Sequence, residues 1–324
     1  MKVIIPAAGI GSRLRPHTHT IPKSLLHVAG KPILAYILDS IARVHPEEII
    51  IITGFLGEKV QEYVSEHYPF KTRYVDQKEL SGLGFAVHMA LAGTESGPTL
   101  IILGDTIVEA DLPAMLAAGE NVLGLMPVAD PHRFGIAEVK NGVVVNLEEK
   151  PEKPKSNLAI IGLYYIHDSG VLKRHLESLI ARDKRTRGEI QLTDALQEMI
   201  EEGVHFTAFS VDGWYDCGKR ETLIETNRHL LDKAAPAPRI EGSVIIPPTY
   251  IAPTAVVEAS IIGPHVSISD RAVVKNSIIR NSIIGYEAEV RQALLTDSLV
   301  GYRASVSGDI RVLNVGDSSE VGYF

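Results

Sequence analysis

Aliphatic residues run along the chain in two different rhythms. In the first two thirds, short β-branched runs at 3–6, 49–53, 99–103, 122–128 and 158–166 are apolar on both faces, the pattern of buried strands. Between them, 32–44 and 58–68 carry helical spacing, with Ile33, Tyr36, Ile37 and Ile41 in one and Val60, Tyr63 and Val64 in the other. Strand and helix in alternation predict an open α/β sheet with right-handed crossovers. In such sheets ligands bind outside the carboxyl ends of the strands, so the loops there are the candidate site.

The second rhythm begins after a linker. Residues 233–241 hold two prolines and little to bury, and divide a domain at 1–232 from one at 242–324. Beyond the linker, aliphatic residues recur five or six apart: Ile245, Ile251, Val257, Ile262, Ile268, Val274, Ile279, Ile284, Val290, Leu295, Val300 and Val306. Small residues follow several of them, at Ala252, Gly263, Ser269, Gly285 and Gly301. Three such steps make a triangular coil of about 16 to 18 residues, a hexapeptide-repeat β-helix. A β-sandwich is the competing reading, but its turns would come every 8–12 residues or so.

Composition narrows the function. Of 324 residues, 32 are Lys or Arg and 40 are Asp or Glu, a net charge of −8. That balance argues against general binding to nucleic acid or anionic membranes, so an anionic substrate needs a local cluster of cations. No apolar run approaches a membrane span, and the N-terminus enters a strand with no signal-peptide pattern. The single cysteine, Cys217, excludes an internal disulfide framework and suits a cytoplasmic setting.

The first strand runs into Ala7-Ala8-Gly9-Ile10-Gly11-Ser12-Arg13-Leu14. Two glycines let backbone approach an anion, and the amides that follow can cradle phosphate oxygens. Leu14 occupies the third glycine position of a dinucleotide fingerprint, and the spacing to a Gly-Lys-Ser/Thr of a P-loop is missing. Arg13 and Lys23, with Lys31 further on, supply cations near this loop. The bland reading is a solvated loop.

Taken in order, these segments resemble the sugar-1-phosphate nucleotidylyltransferases. The resemblance runs from Ala8–Leu14, Pro22-Lys23-Ser24 and Gly30-Lys31-Pro32 through Gln77 with Gly82-Leu83-Gly84 and Leu103-Gly104-Asp105-Thr106. It continues through Glu148-Glu149-Lys150-Pro151, Gly188–Asp194 and Trp214-Tyr215-Asp216-Cys217-Gly218. It implies a Rossmann-like open mixed sheet followed by a short left-handed parallel β-helix, and transfer of a nucleotidyl group to a sugar 1-phosphate. Nucleotide contacts are expected from Ala7, Ala8, Gly9, Gly11, Ser12, Arg13, Lys23, Gln77, Gly82 and Asp105. Sugar-phosphate contacts are expected from Gly135, Glu149 and Lys150, with Trp214 either walling the cleft or sitting in the core.

The chemistry of these residues agrees with that expectation. Two anions must meet, so Arg13, Lys23 and Lys150 serve as positive charge, while Asp105 and Asp216 suit Mg²⁺. Gln77 stands where pyrimidine-using members carry glutamine, favouring dTTP or UTP with glucose 1-phosphate over GTP with mannose 1-phosphate. Ser24 departs from the glutamine frequent in thymidylyl members, and Leu80 from a frequent proline. Other readings are a nucleotide-sugar sensor without chemistry and, because His265 lies in the repeat, a bifunctional acyltransferase. The repeat domain is expected to serve assembly of a homo-oligomer or an allosteric surface.

Overall fold

The computed structural model describes residues 1–233 and 238–308. Residues 234–237 of the expected linker and the last sixteen residues of the expected repeat domain lie outside the described residues. The chain divides into two compact units, Met1–Thr226 and a second that begins at Asn227.

The first unit is built on β1 (Lys2–Pro6), a small hairpin of β2 (His27–Val28) and β3 (Lys31–Pro32), β4 (Glu48–Thr53), β5 (Thr72–Asp76) and β6 (Thr99–Ile102). It continues with β7 (Thr106–Glu109), β8 (Asn121–Pro127), β9 (Gly135–Lys140), β10 (Val143–Glu149), β11 (Leu158–Ile166), β12 (Phe206–Ser210) and β13 (Gly213–Asp216). Nine strands form one mixed sheet in the order β5-β4-β1-β6-β11-β8-β12-β10-β9. The four at the β5 end are mutually parallel and β11 is antiparallel to β6. The five runs expected to be buried strands are strands here, with ends shifted by at most about one residue, because both faces of each are covered.

Seven helices accompany the strands: α1 (Ile33–Ala42), α2 (Gly57–His67), α3 (Leu83–Leu91), α4 (Leu112–Ala117), α5 (Ser169–Ala181), α6 (Leu192–Glu201) and α7 (Arg220–Asp232). Ile4, Ile50, Ile52 and Ile101 of the sheet pack with Val87 and Leu91 of α3, Leu172, Leu176 and Leu179 of α5, and Leu196 and Met199 of α6. Burial of this kind stabilises by roughly 25 cal/mol per Å² of apolar surface. Among the described residues, no helix is long and apolar enough to cross a membrane.

Among the described residues, the second unit holds the last turns of α7 and twelve short strands in three parallel sheets, the coils of a left-handed β-helix. Its first face is built from 244–245, 261–262, 278–280 and 294–296, its second from 249–251, 266–268, 283–284 and 299–300, and its third from 256–258, 273–275, 289–291 and 305–307. All twelve aliphatics of the predicted row sit on these strands. Val274, Ile279, Ile284 and Val290 among them are wholly buried.

The corners hold two regularities. Left-handed backbone recurs in ladders at Ala259, Asn276 and Gln292, at His265, Asn281 and Asp297, and at Arg271, Glu287 and Arg303. Of the small residues noted in the sequence, Gly263 has a positive φ of 109°, whereas Gly285 serves close packing, since a Cβ on it would fall 2.8 Å from the Val300 carbonyl oxygen. A spine of hydroxyls links successive coils: Ser243 Oγ accepts from Ser260 N, Ser260 Oγ from Ser277 N, and Ser277 Oγ from Ala293 N, at 3.1–3.2 Å.

His265 is held within this unit. Its Nε2 lies 2.8 Å from Asp232 Oδ1, and its carbonyl accepts from Asn227 Nδ2 at 3.3 Å. These bonds fasten the end of α7 to the coils.

Candidate active site

The carboxyl ends of the parallel strands β1, β5 and β6 open on a cavity of about 330 Å³. Register explains the convergence. Ala7 N continues the β1–β4 ladder by donating to Ile52 O at 2.8 Å, Gln77 N extends β5 by donating to Thr53 O at 2.8 Å, and Gly104 N donates to Pro6 O at 2.9 Å. Three loops are thereby tied to neighbouring strands at one edge. Ala7, Ala8, Gly9, Lys23, Gln77, Gly82 and Asp105 all line the cavity.

Gly82 is required by geometry. It has φ of 107°, and a Cβ there would lie 2.5 Å from the Ile190 carbonyl oxygen. The segment around Glu189 lies against it, with Gly84 N donating to Ile190 O and Ile190 N to Ser81 O, both at 2.9 Å. Those bonds hold Gln77 and the start of α3 as one wall. Lys23 is nearly buried, and its Nζ lies 2.6 Å from Asp105 Oδ2, a carboxylate about half exposed. An ammonium withdrawn from water in this way needs a counter-charge, and Asp105 supplies it.

The expected phosphate loop is only partly at the cavity. Gly11 is left-handed at φ 67°, its carbonyl accepts from Thr18 Oγ1 at 2.9 Å, and a Cβ on it would meet Thr18 Cγ2 at 2.9 Å. Ser12 and Arg13 lie on an exposed 3-10 turn, Ser12–Leu14, and are not in the lining. Lys31 is drawn elsewhere, pairing with Asp39 and sitting 4.2 Å from the Tyr36 ring centroid.

A second group of expected residues gathers around β9 and β10. Gly135 pairs with Glu149 across the ladder. A Cβ on Gly135 would be 2.9 Å from Glu149 Oε2 and 3.1 Å from Thr193 Oγ1. Glu149 accepts from Thr193 Oγ1 at 2.8 Å and faces Lys150 Nζ at 3.3 Å. Lys150 is left-handed at φ 46°, with its amide donating to Phe134 O at 3.0 Å and its carbonyl accepting from Arg187 at 3.1 Å. Phe134 meets Trp214 edge to face, ring centroids 5.0 Å apart.

The ribbon β7–β13 joins the two groups. Asp216 pairs with Thr106, next to Asp105, and Cys217 N donates to Asp105 O at 3.3 Å. Trp214 and Asp216, two apart on β13, point to one side of the ribbon. The same strand thus carries Asp216 beside Asp105 and Trp214 beside Phe134. Burial pushes the Cys217 thiol up to about 12, so it is a packing group here and no nucleophile.

Among the described residues, no three His, Cys, Asp or Glu side chains form a cluster able to hold a metal alone. Two neighbouring carboxylates offer only hard oxygen ligands and leave most positions to water and phosphate oxygens. That donor set fits a Mg²⁺-like ion.

Sequence reasoning missed part of the lining: Ser24, Leu80, Leu83, Ala86, Leu103, Gly104 and Glu189. Ser24, noted in the sequence as a departure from the family pattern, is buried with its hydroxyl unpartnered, which only the structure shows. Glu189 and Leu103 lie inside recognised segments, where position beside Gly82 and Asp105 was the available signal.

Residues 2–233 match the family model described as nucleotidyl transferase. The chain is similar to the glucose-1-phosphate thymidylyltransferase of Streptomyces antibioticus, 35% identical over 258 residues that cover 75% of this chain and 69% of that one. It is equally similar, at 35% identity, to a bifunctional protein GlmU of Methanococcus maripaludis, but there the match covers 72% of this chain and only 55% of that protein. A crystal structure of UDP-glucose pyrophosphorylase with UDP-glucose superposes with a TM-score of 0.63 at 26% identity, covering 72% of this chain and 99% of that one.

Proposed function

The chain belongs to the nucleotidyl transferase family, and we propose that it joins dTTP or UTP to glucose 1-phosphate with release of pyrophosphate. The observation that carries this reading is the convergence of Gln77, Lys23 and Asp105 on one cavity at the strand ends. A glutamine amide donates and accepts at once, matching the imide edge of uracil or thymine. The names of the similar proteins, a thymidylyltransferase and a UDP-glucose pyrophosphorylase, support the same substrate pair.

In the reaction, a phosphate oxygen of the sugar 1-phosphate attacks the α-phosphorus. The bond from that phosphorus to the oxygen bridging the β-phosphate breaks, and pyrophosphate leaves with the electron pair. Charge grows on the leaving group, so placement and positive charge matter more than a covalent nucleophile. Backbone at 7–9 and Gly82 admits the nucleotide closely, and Gln77 reads its base. Lys23 exchanges its carboxylate partner for phosphate oxygens, and Arg13 adds charge from the adjoining turn. Lys150 holds the sugar phosphate, Glu149 accepts from sugar hydroxyls, and Gly135 leaves room for the ring beside Trp214.

Nucleotidyltransferases of this family generally use a divalent metal. Here Asp105 and Asp216 would hold Mg²⁺, which when bound offsets phosphate charge. Residues 1–232 carry this chemistry, 233–241 link, and 242–324 serve assembly of a cytoplasmic homo-oligomer.

The test is a pyrophosphate-release screen of five nucleoside triphosphates against a panel of sugar 1-phosphates. A pyrimidine triphosphate with glucose 1-phosphate is expected to be fastest, and Gln77→Leu to erase the base preference. Faster turnover of GTP with mannose 1-phosphate overturns the assignment.

A further inference from the structure

The glycine loop after β1 rests on Thr18, a residue outside the cavity lining. Thr18 lies on a 3-10 turn, His17–His19, and is 2% exposed, although the histidines on either side are half-buried and exposed. A polar side chain so placed has to be bonded. Its Oγ1 donates to the Gly11 carbonyl oxygen at 2.9 Å, and the Leu14 amide donates to the same oxygen at 2.9 Å. The Leu14 bond already satisfies that carbonyl, so the hydroxyl is a second hold on one peptide.

The rest of the seat is steric. A Cβ on Gly11 would lie 2.9 Å from Thr18 Cγ2 and 3.2 Å from Lys23 Cβ. Thr18 thus meets Gly11 through both its hydroxyl and its methyl. The segment is fastened in turn by Lys59 of α2, whose Nζ donates to Thr20 O at 2.7 Å. Across a trans peptide the carbonyl and the following N–H point opposite ways. Drawing the Gly11 carbonyl onto buried Thr18 therefore turns the Ser12 amide outward, away from the seat. Among the described residues, the amides of Gly9, Ile10, Gly11, Ser12 and Arg13 donate to no group of the chain. A run of amides without acceptors suits an anion.

We propose that Thr18 is a positioning residue for phosphate binding: its hydroxyl sets the Gly11–Ser12 peptide so that the Ser12 amide faces the phosphates of the nucleoside triphosphate. The proposal rests on the nucleotidyl transfer reading above and adds to it a residue that touches no substrate. Fixing the peptide before the substrate arrives removes an ordering cost from binding. An amide held in place also serves the charge that grows on the departing pyrophosphate. A turn held by Leu14 alone keeps its shape but lets that peptide rotate, so the loss shows in phosphate affinity rather than in folding.

Calorimetric titration of the full chain with inorganic pyrophosphate, and steady-state kinetics with each substrate varied, test this. Thr18→Val keeps the size and the methyl contact but not the hydrogen bond, whereas Thr18→Ser keeps the bond and loses the methyl. Thr18→Val is expected to weaken pyrophosphate binding and raise KM for the triphosphate about 10-fold, the scale of one hydrogen bond, with KM for glucose 1-phosphate unchanged. Thr18→Ser is expected near the wild type in all three. Thr18→Ala, which adds no bulk, replaces the valine variant if that does not fold, with the same expected loss. Wild-type pyrophosphate affinity in Thr18→Val overturns the proposal, and so does the reverse order, serine impaired and valine intact. An equal rise in KM for glucose 1-phosphate marks general loosening and overturns it too. Pyrophosphate carries neither base nor sugar, so a wild type that binds it but turns over neither dTTP nor UTP overturns the substrate reading alone.

Discussion

Lys23 and Asp105, 82 residues apart in the chain, close a 2.6 Å ion pair between two loops of the cavity. The same carboxylate is one of the two proposed for a divalent metal. The ammonium therefore neutralises Asp105 before substrate arrives, and is the group best placed to turn to phosphate oxygens when they do.

Asp105→Asn is expected to lower turnover about 100-fold or more, the scale on which removal of one charge-stabilising group acts. Asp216→Asn should do the same, and the double variant far less than the product of the two, because groups acting as one unit are not additive. Asp105→Asn also leaves the Lys23 ammonium with only a neutral amide, which costs about 1–3 kcal/mol of stability. Turnover against Mg²⁺ concentration, with thermal melts alongside, separates these effects. Near-normal turnover in both single variants would remove the metal pair.

Gly135→Ala should raise KM for the sugar phosphate by roughly 10-fold. The added Cβ falls 2.9 Å from Glu149 Oε2, so the carboxylate must move off its Thr193 bond. The three atoms it meets, Glu149 Oε2, Thr193 Oγ1 and Ile160 Cδ1, are all ends of side chains, so the melting temperature should barely change. Steady-state kinetics with sugar 1-phosphate varied checks the KM, and an unchanged value would exclude Glu149 from the sugar site.

Cys217 should resist iodoacetamide at pH 8 in the native protein and react fully in denaturant. Its folded thiol is raised to about 12, above an unfolded value near 8.5, so the stability it contributes is intact below pH 8 and declines as pH rises toward 12. Mass spectrometry counts the adducts, and native modification at pH 8 would contradict the packing shown.

Glu198 gives stability a dependence at the acid end. Burial raises its carboxyl, but hydrogen bonds from Lys184 at 3.1 Å and Arg182 at 2.9 Å outweigh that and hold it below the ordinary range. The lowered folded value means the contribution is present above the unfolded carboxylate range and lost as pH falls through the folded one. Urea melts between pH 3 and 6 should show a steeper acid loss in the wild type than in Glu198→Gln. Equal slopes would show that this cluster does not matter.

The parts of the fold legible in the sequence are those whose signal is local. The strand at 158–166 is apolar on both faces, and the coil rows from Ile245 to Val306 repeat at one spacing. The β7–β13 ribbon was not legible, since Trp214 pairs with Val108 and nothing in either segment encodes that register. The proximity of Asp105 and Asp216 rests on that pairing; the sequence places each at a strand end but does not pair them. Corner conformation was hidden for a different reason. Left-handed backbone usually advertises itself through glycine, yet Ala259, Gln292 and Arg303 adopt it because the stacked coils on either side dictate it.

Those corners have a consequence for how the second unit comes apart. A non-glycine residue in left-handed backbone is uphill by about 1–2 kcal/mol, and each coil repeats that penalty at its turns. Only contact with the coil above and the coil below offsets it. Stability is then set by address along the stack: a coil at an end has one neighbour to lean on, and a coil in the middle has two. Amides of the 261–262 and 278–280 strands should exchange with solvent most slowly and those of 244–245, which pair with one strand only, sooner, so that opening from that end travels inward one whole turn at a time, as a zipper does.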